Sequence, residues 1–334
     1  METTSALLAQ LRRLLDEGAP PGGGELKTQL QECMDIFTRL PAKIRPADFR
    51  GLPGGLVRLR RSVPTLILPD LHGRRRLLFD ALTQSVMNEE SFLDLLEIGS
   101  GNVVCVGDAF HGEAPVKERW SDAYDEFLDG FKHREAMDQE MTDNLRLLQM
   151  ILLLTIHYPE NFFFLKGNHE NIANELGEGN YPFRKFVNEG EMVKYWSTLF
   201  LGQECFEVLY GYEKRLPLVA EGDGFLVTHA EPSRVFSVEE IIDAYKDDDV
   251  IYGLTWTDND VSEPGSVAGT LESFFPGEES TICFGGHRPT GGLYALRAEG
   301  RYIQINNPVN HIAAVVSRGG EFDPDEQIVR IDTL

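Results

Sequence analysis

Five short apolar segments, each running into side chains that can bind a metal ion, most constrain how this 334-residue chain can fold. They lie at residues 65–72, 102–108, 161–170, 224–229 and 281–287. Each contains a short run rich in β-branched, aromatic or leucine residues, as buried strands do. Helical patterns at 75–86 and 140–157 lie between some of them, and closing strands are predicted at 302–305 and 312–317. The sequence therefore predicts an α/β sheet with polar residues at the carboxyl ends of its strands, where such sheets place their sites.

The polar residues at the strand ends are two aspartates, one asparagine and four histidines. They are Asp70, His72, Asp108, Asn168, His169, His229 and His287. Carboxylates and imidazoles without thiolates suit Mn²⁺, Fe²⁺ or Zn²⁺. Two ions close together need a bridging carboxylate, and Asp108, alone at its strand end, is the natural bridge. Such a pair orients a phosphoryl oxygen and activates a water for in-line attack on phosphorus, and a remaining histidine can protonate the leaving oxygen.

Two amphipathic helices are predicted in front of the first strand. Leucine stripes run through residues 5–17 and 26–40, and the Gly- and Pro-rich segment 18–24 separates them. We expect both helices to pack on the main domain; a dimerisation or docking role is the alternative.

A third amphipathic helix is predicted in the charged segment 113–143. Its aromatic residues recur at intervals of four, three and four, which places them on one helix face. They are Trp120, Tyr124, Phe127 and Phe131. This helix either packs for structural reasons or forms a lid over the site.

The charge of the chain excludes several classes of partner. A formal net charge of −23 argues against binding to nucleic acid or to anionic lipid, both of which favour clustered Lys and Arg. The longest apolar stretch, at 147–156, is about half the length of a membrane span. The acidic start differs from a signal peptide, and four scattered cysteines indicate reduced thiols. We therefore expect a cytoplasmic location.

The order of these motifs resembles that of the calcineurin-like metallophosphoesterases, and more narrowly that of the phosphoprotein Ser/Thr phosphatases. The segment YPENFFFLKGNHE at 158–170 is similar to the YPENFFLLRGNHE of that branch. The other matching blocks are DLHG at 70–73, VGD at 106–108, THAEPS at 228–233, LTWTD at 254–258 and GGHRP at 285–289. The resemblance covers roughly residues 62–317.

This resemblance implies a metallophosphoesterase-type β-sandwich flanked by helices. It divides the chain into a helical extension, 1–61, and a catalytic domain, 62–334, with a helical insertion at 113–141 that could act as a cap. Two divalent ions, Mn, Fe or Zn, are the implied cofactors. Asp70 and His72 would hold the first ion, Asp108 would bridge, and His169 would be the general acid. The second ion would take three further ligands, Asn168, His229 and His287.

The block at 107–113 departs from the family pattern GDxVDRG. His111 stands where an aspartate normally orients the catalytic histidine, and Gly112 stands where an arginine binds phosphate. A cation cannot raise the basicity of His169 as an anion would, so Glu113 or Glu170 is a possible substitute.

The arginines that bind phosphate in the family are thus absent from their usual places. Arg74 and Arg288, which follow DLH and GGH, are candidate replacements, with a surface role for each as the alternative. Together with His111 they form the candidate substrate-binding set. Pro69 replaces the Gly that opens the first block.

The predicted function is hydrolysis of phosphate monoesters at a two-metal site similar to that of Ser/Thr protein phosphatases. One alternative is a hydrolase of a small phosphorylated molecule such as a dinucleoside polyphosphate, and another is a non-catalytic, metal-binding regulatory protein. The expected partner is a phosphorylated protein or a small phosphoester. The sequence makes no prediction of the oligomeric state.

Overall fold

Two β-sheets and twelve α-helices make up the described residues, 2–85, 90–317 and 322–331, of the computed structural model. The strands are β1 (Leu56–Arg58), β2 (Thr65–Leu68), β3 (Asn102–Cys105), β4 (Phe162–Phe164), β5 (Val219–Glu221), β6 (Phe225–Val227), β7 (Ile282–Gly285), β8 (Ala295–Arg297), β9 (Tyr302–Gln304), β10 (Ile312–Val316) and β11 (Ile328–Arg330). The helices are α1 (Glu2–Asp16), α2 (Gly23–Arg39), α3 (Arg75–Thr83), α4 (Phe92–Glu97), α5 (Lys117–Leu128), α6 (Glu135–His157), α7 (Glu189–Phe200), α8 (Gln203–Glu213), α9 (Val238–Ile242), α10 (Asp248–Thr255), α11 (Ser266–Phe274) and α12 (Pro324–Gln327).

The strand order brings the predicted site segments to common sheet edges. One sheet has the order β1-β5-β6-β7-β9-β8 and the other β11-β10-β2-β3-β4. The strands β2, β3 and β4 are parallel neighbours, as are β6 and β7. Because parallel strands end at the same edge, the segments that carry Asp70, Asp108 and Asn168 leave their sheet side by side.

Alternating side chains pack the two sheets against each other and against helices. Ile67, Val104 and Phe163 lie in a buried cluster with residues of the six-stranded sheet, such as Val227 and Phe284. Their neighbours in sequence belong to a second cluster, shared with the helices on the outer face of the five-stranded sheet. A third cluster covers the outer face of the six-stranded sheet. The predicted β-sandwich flanked by helices is confirmed.

The two N-terminal helices pack onto the rest of the chain, as expected. Helix α1 contacts α3 and α6, and α2 contacts α6 and α8. Leu11 and Leu30 are fully buried in the cluster that also covers the five-stranded sheet. Strand β1, which precedes residue 62, pairs with β5 in the larger sheet. The domain boundary at 61/62 stays a prediction.

The helix predicted in the segment 113–143 is α5, and it carries Trp120, Tyr124 and Phe127. It ends at Leu128, so Phe131, which was predicted on the same helix face, lies beyond the helix, with a φ of 56°. Helix α5 contacts α6 and α7, and the ring of Phe127 lies 5.8 Å from that of Phe131 and 5.9 Å from that of Tyr195. Trp120 is buried, and its Nε1 donates to the carbonyl oxygen of Gly112 at 2.9 Å. The insertion therefore begins beside the predicted site and is held there by packing.

The remaining local predictions also correspond to the structure. The patterns at 75–86 and 140–157 form α3 and α6, although residue 86 lies outside the described residues. All four cysteines are buried free thiols. Among the described helices, none combines the length and the hydropathy needed to cross a membrane.

Candidate metal centre

Asp108 lies at the centre of the predicted site. Its Oδ1 accepts a hydrogen bond of 2.9 Å from the backbone N–H of His169. Its Oδ2 is buried and has no hydrogen-bond partner among the described residues. This oxygen lies 3.4–3.8 Å from the Nε2 atoms of three histidines, His72, His169 and His229. A buried carboxylate oxygen without a partner is costly, so this arrangement favours a cation.

Asp70 and His72, after β2, are both directed by backbone groups. Asp70 Oδ1 accepts from the backbone N–H of His287 at 3.0 Å, whereas Oδ2 has no partner in the described part of the chain. Burial raises the pKa of Asp70 to about 7. His72 Nδ1 lies 3.0 Å from the carbonyl oxygen of Phe110, so Nδ1 donates and Nε2 carries the free lone pair. Burial lowers the pKa of His72 to about 4, which keeps this ring neutral.

Asn168, His229 and His287 bring three potential ligand atoms together. Asn168 Oδ1 lies 2.9 Å from His229 Nε2 and 3.0 Å from His287 Nδ1. His229 Nδ1 lies 3.0 Å from the carbonyl oxygen of Val106, so its proton is there and its Nε2 is bare. Burial lowers the pKa of His229 well below its ordinary value. The lone pairs of His229 Nε2 and Asn168 Oδ1 therefore face each other, and a cation between them would satisfy both.

The donor set fits two metal ions. Two groups of three residues place their ligand atoms within 4.8 Å of one another: His72 with Asp108 and His169, and Asp70 with Asp108 and His229. Asp108 belongs to both groups, which supports its predicted bridging role. Asp70 thus groups with His229, although it was predicted to share an ion with His72. His72 groups with His169, which was predicted to be the general acid. Carboxylate, amide and imidazole groups suit Mn²⁺, Fe²⁺ or Zn²⁺.

Several residues at the site have backbone conformations in the left-handed region. His72, Asp108, His111 and His287 all have positive φ, between 42° and 66°. Strained residues of this kind cluster at functional sites. Gly286, which precedes His287, has room for no side chain, because a Cβ there would overlap Asp70 Oδ2.

The side chain within hydrogen-bond distance of His169 Nδ1 is that of His111. The two Nδ1 atoms lie 2.7 Å apart, and both rings are buried. Glu170 instead accepts hydrogen bonds from three backbone N–H groups. Glu113 lies 3.4 Å from His72 Nε2 and pairs with Lys185. The orienting partner of His169 is therefore neither of the two glutamates that the sequence suggested.

The two candidate phosphate-binding arginines are both engaged within the chain. Arg74 donates to the carbonyl oxygens of Asp70, Leu71 and Asn307. Arg288 pairs through Nε and Nη2 with the carboxylate of Asp258, at 2.8 and 2.9 Å. Arg288 is part-exposed, so its ion pair is open to exchange, whereas Arg74 is fixed by backbone acceptors. Their roles in substrate binding stay predictions.

Phe183 and Lys185 adjoin the site and were not predicted from the sequence. The ring of Phe183 lies 3.9 Å from that of His169 and stacks on His111 at 4.6 Å. Both residues follow the block at 158–170 by more than ten positions, in a segment with no regular pattern. Only the presence of an aromatic and a basic residue there could have indicated them.

Comparison with known proteins places the chain in a family. The model of the calcineurin-like phosphoesterase family matches residues 63–291. A protein serine/threonine phosphatase from Saccharomyces cerevisiae, described as similar to human phosphatase PP5, shares the fold. It has a TM-score of 0.55 and 15% identity over 93% of this chain and 89% of that chain. No curated protein matches this chain at a significant level.

Two other solved structures are more distant. A candidate diadenosine tetraphosphatase has 16% identity and a TM-score of 0.44, over 83% of this chain and 97% of that chain. A cold-active protein-tyrosine phosphatase of a Shewanella species has 14% identity and a TM-score of 0.45, over 89% and 84%. The range matched by the family model contains every predicted metal ligand, from Asp70 to His287, and the chain therefore belongs to the calcineurin-like phosphoesterase family.

Proposed function

We propose that this protein is a two-metal-dependent hydrolase of phosphate monoesters, with Mn²⁺, Fe²⁺ or Zn²⁺ as its ions. The observation that carries the proposal is the position of Asp108 Oδ2. This buried oxygen has no hydrogen-bond partner among the described residues, and it belongs to both groups of potential metal ligands. A bridging carboxylate of this kind is what a two-ion phosphoesterase needs.

The residues of the chain divide into ligands and a proton donor. In this proposal Asp70, His72 and Asp108 hold one ion. Asp108 and three further residues hold the other, namely Asn168, His229 and His287. When bound, two such ions supply positive charge that orients a phosphoryl oxygen and lowers the pKa of a water.

His169, which follows the ligand Asn168 in sequence, directs a hydrogen on its Nε2 toward the reacting atoms. His169 Nε2 lies 3.8 Å from Asp108 Oδ2, so a hydrogen on Nε2 lies at the edge of the ligand group. From there it can donate a hydrogen bond to the leaving oxygen of a bound phosphoester. Phe183, packed on the His169 ring at 3.9 Å, limits the movement of that ring.

The substrate class within the monoesters rests on analogy with neighbours in the family. The yeast phosphatase supports a phosphorylated protein as the substrate. Its 15% identity with this chain establishes the shared fold alone. The net charge of −23 means that an anionic substrate depends on local positive charge at the site. Because Arg74 is held by backbone acceptors, we expect the ions to supply most of that charge.

The proposal is tested by the release of p-nitrophenol from p-nitrophenyl phosphate. We expect turnover with added Mn²⁺ and its loss in Asp108→Asn, with a reduced content of bound metal measured by elemental analysis. Asp223→Asn, at an exposed position, is the matched control and should retain both. Absence of turnover with each of Mn²⁺, Fe²⁺ and Zn²⁺ would overturn the proposal and favour a non-catalytic metal-binding protein. A panel of phosphopeptides and nucleotides would then distinguish protein from small-molecule substrates.

A further inference from the structure

The contact between His111 and His169 restricts where each ring carries its proton. Their Nδ1 atoms lie 2.7 Å apart, and the residues are 4% and 6% exposed. Two imidazole nitrogens at this distance share a single hydrogen, so one ring donates and the other accepts. Protonation of both Nδ1 atoms would place two hydrogens in the same short gap.

The surroundings of His111 decide which ring donates. Its ring lies 4.6 Å from that of Phe183, 5.9 Å from that of Trp120 and 6.5 Å from that of Phe110. Its Nε2 is buried and meets no hydrogen-bond partner within the described residues. If His169 donated, the hydrogen of His111 would have to lie on this Nε2. A buried N–H without an acceptor is rarer than a buried acceptor without a donor, so His111 donates from Nδ1.

This direction of donation determines the state of His169. Because its Nδ1 accepts, the ring carries one hydrogen, on Nε2. That nitrogen lies 3.8 Å from Asp108 Oδ2, at the edge of the ligand group. An aspartate at position 111 would act in the opposite way, because a carboxylate can only accept and would favour hydrogens on both nitrogens of His169.

We propose that His111 is a positioning residue that holds His169 with a single proton on Nε2, and that the site therefore prefers monoesters with a weakly basic leaving oxygen, phenyl rather than alkyl phosphates. This inference rests on the proposed function. A singly protonated imidazole donates a hydrogen bond but is a poor acid, so it stabilises a departing phenolate and transfers no proton to an alkoxide. The bond from phosphorus to the leaving oxygen breaks with its electron pair on that oxygen. A bond to the water oxygen forms, and a water proton passes to solvent.

The first test measures the proton positions directly, in protein with ¹⁵N-labelled imidazoles, with and without Zn²⁺. We expect NMR spectra to show a protonated Nε2 and a bare Nδ1 on His169, and the reverse on His111. A bare Nε2 on His169, as required if it bound an ion together with His72 and Asp108, would overturn the proposal. So would a hydrogen on His169 Nδ1. This measurement needs no turnover.

The second test compares kcat/KM for p-nitrophenyl phosphate with that for an alkyl phosphate. We expect the wild type to be at least about 100-fold slower on the alkyl ester, the size of a missing general acid. His111→Asp should narrow this ratio at least about tenfold. His111→Asn matches the aspartate variant in size. Its amide can still donate a hydrogen bond to His169, so the ratio of kcat/KM values should stay as in the wild type. His157→Asp, at an exposed position, is the surface control.

The outcomes separate this inference from the proposed function. Equal ratios in His111→Asp and His111→Asn, or a wild type equally fast on both esters, would overturn the role of His111. Failure of every phosphoester to react would overturn the proposed function, while the NMR measurement would still decide the position of the protons. If His111→Asp does not fold, the wild-type ratio and the NMR spectra remain decisive.

Discussion

Glu170 fixes the backbone of Asp108: its Oε2 accepts a hydrogen bond of 2.9 Å from the Asp108 N–H. The same carboxylate accepts from the N–H groups of Gly167, at 2.7 Å, and Ala109, at 2.8 Å. Gly167 follows β4, and Asp108 and Ala109 follow β3, so one buried side chain joins the two loops. The position of the proposed bridging ligand thus depends on a residue that is not itself a ligand.

Glu170→Gln should destabilise the protein and weaken metal binding. A glutamine has one acceptor oxygen, so at least one of the three N–H groups would face its NH₂ group. We expect the free energy of unfolding to fall by about 2 kcal/mol, the cost of losing a hydrogen bond to a charged group. Urea denaturation measures this, with the exposed Glu278→Gln as control. Equal stability of Glu170→Gln and wild type would show that the carboxylate does not hold the loops.

Gly286→Ala should lower metal affinity while the fold is retained. A Cβ at Gly286 would overlap Asp70 Oδ2, the oxygen without a partner in the described residues, and would displace that side chain. We expect affinity for Mn²⁺ to fall by about 10- to 100-fold, as for other groups that orient ligands.

Gly211→Ala is the matched control for this change. Gly211 lies within α8, and no atom lies within 4 Å of the position its Cβ would take. Alanine there should bind Mn²⁺ normally and should stabilise the helix by about 0.5–1 kcal/mol. Isothermal titration calorimetry measures both affinities. Unchanged binding by Gly286→Ala would mean that Asp70 is not held against this glycine in solution.

The strand-end residues could be predicted from the sequence because two local rules suffice to place them. Short apolar runs form buried strands, and parallel neighbours bring their carboxyl ends together. Asp70, Asp108 and Asn168 follow β2, β3 and β4 at one sheet edge, so their proximity required no knowledge of side-chain packing.

The rest depends on side-chain directions that no local rule gives. The contact between His111 and His169 arises in a loop where His111 has a φ of 66°. Arg74 has a long, flexible side chain, and the sequence does not show that backbone carbonyls, one of them that of Asn307, bind its guanidinium. Phe183 reaches His169 from a segment without regular structure. In each case the partner is distant in sequence or depends on the local backbone.

Metal affinity should increase with pH between about 6 and 8. Burial raises the pKa of Asp70 to about 7, so below that pH an ion must displace a proton from this carboxyl. Burial lowers the pKa of His72 to about 4 and that of His287 to about 3. These two rings are therefore neutral over the whole range and add no slope of their own.

Calorimetric titration with Zn²⁺, in two buffers that differ in ionisation enthalpy, measures the protons released. We expect release of about one proton or more per protein at pH 6, and less at pH 8. Asp223→Asn, at an exposed position outside the ligand set, should behave as the wild type does. Affinity that does not change between pH 6 and pH 8 would contradict the raised pKa of Asp70.

Glu213 should make the folded state less stable as the pH rises. Its Oε2 accepts from the N–H of Ile172 at 2.8 Å, and its Oε1 is buried without a partner among the described residues. Burial raises the pKa of Glu213 from 4.5 to about 8, although Lys166 opposes this rise. The stability linked to this carboxyl is complete below pH 4.5 and is lost as the pH rises to about 8, because the unfolded chain releases the proton first.

Glu213→Gln removes this titration, so its stability relative to wild type should improve between pH 5 and pH 8, by on the order of 3 kcal/mol. The quantity to compare is the difference in free energy of unfolding between the two proteins at each pH. The pH profile of either protein alone also contains the buried histidines, whose lowered pKa values stabilise the fold as the pH rises. Urea denaturation at several pH values measures it. Glu207→Gln, exposed on the same helix, should run parallel to the wild type. If Glu213→Gln also runs parallel to the wild type, Glu213 does not titrate differently in the folded and unfolded states.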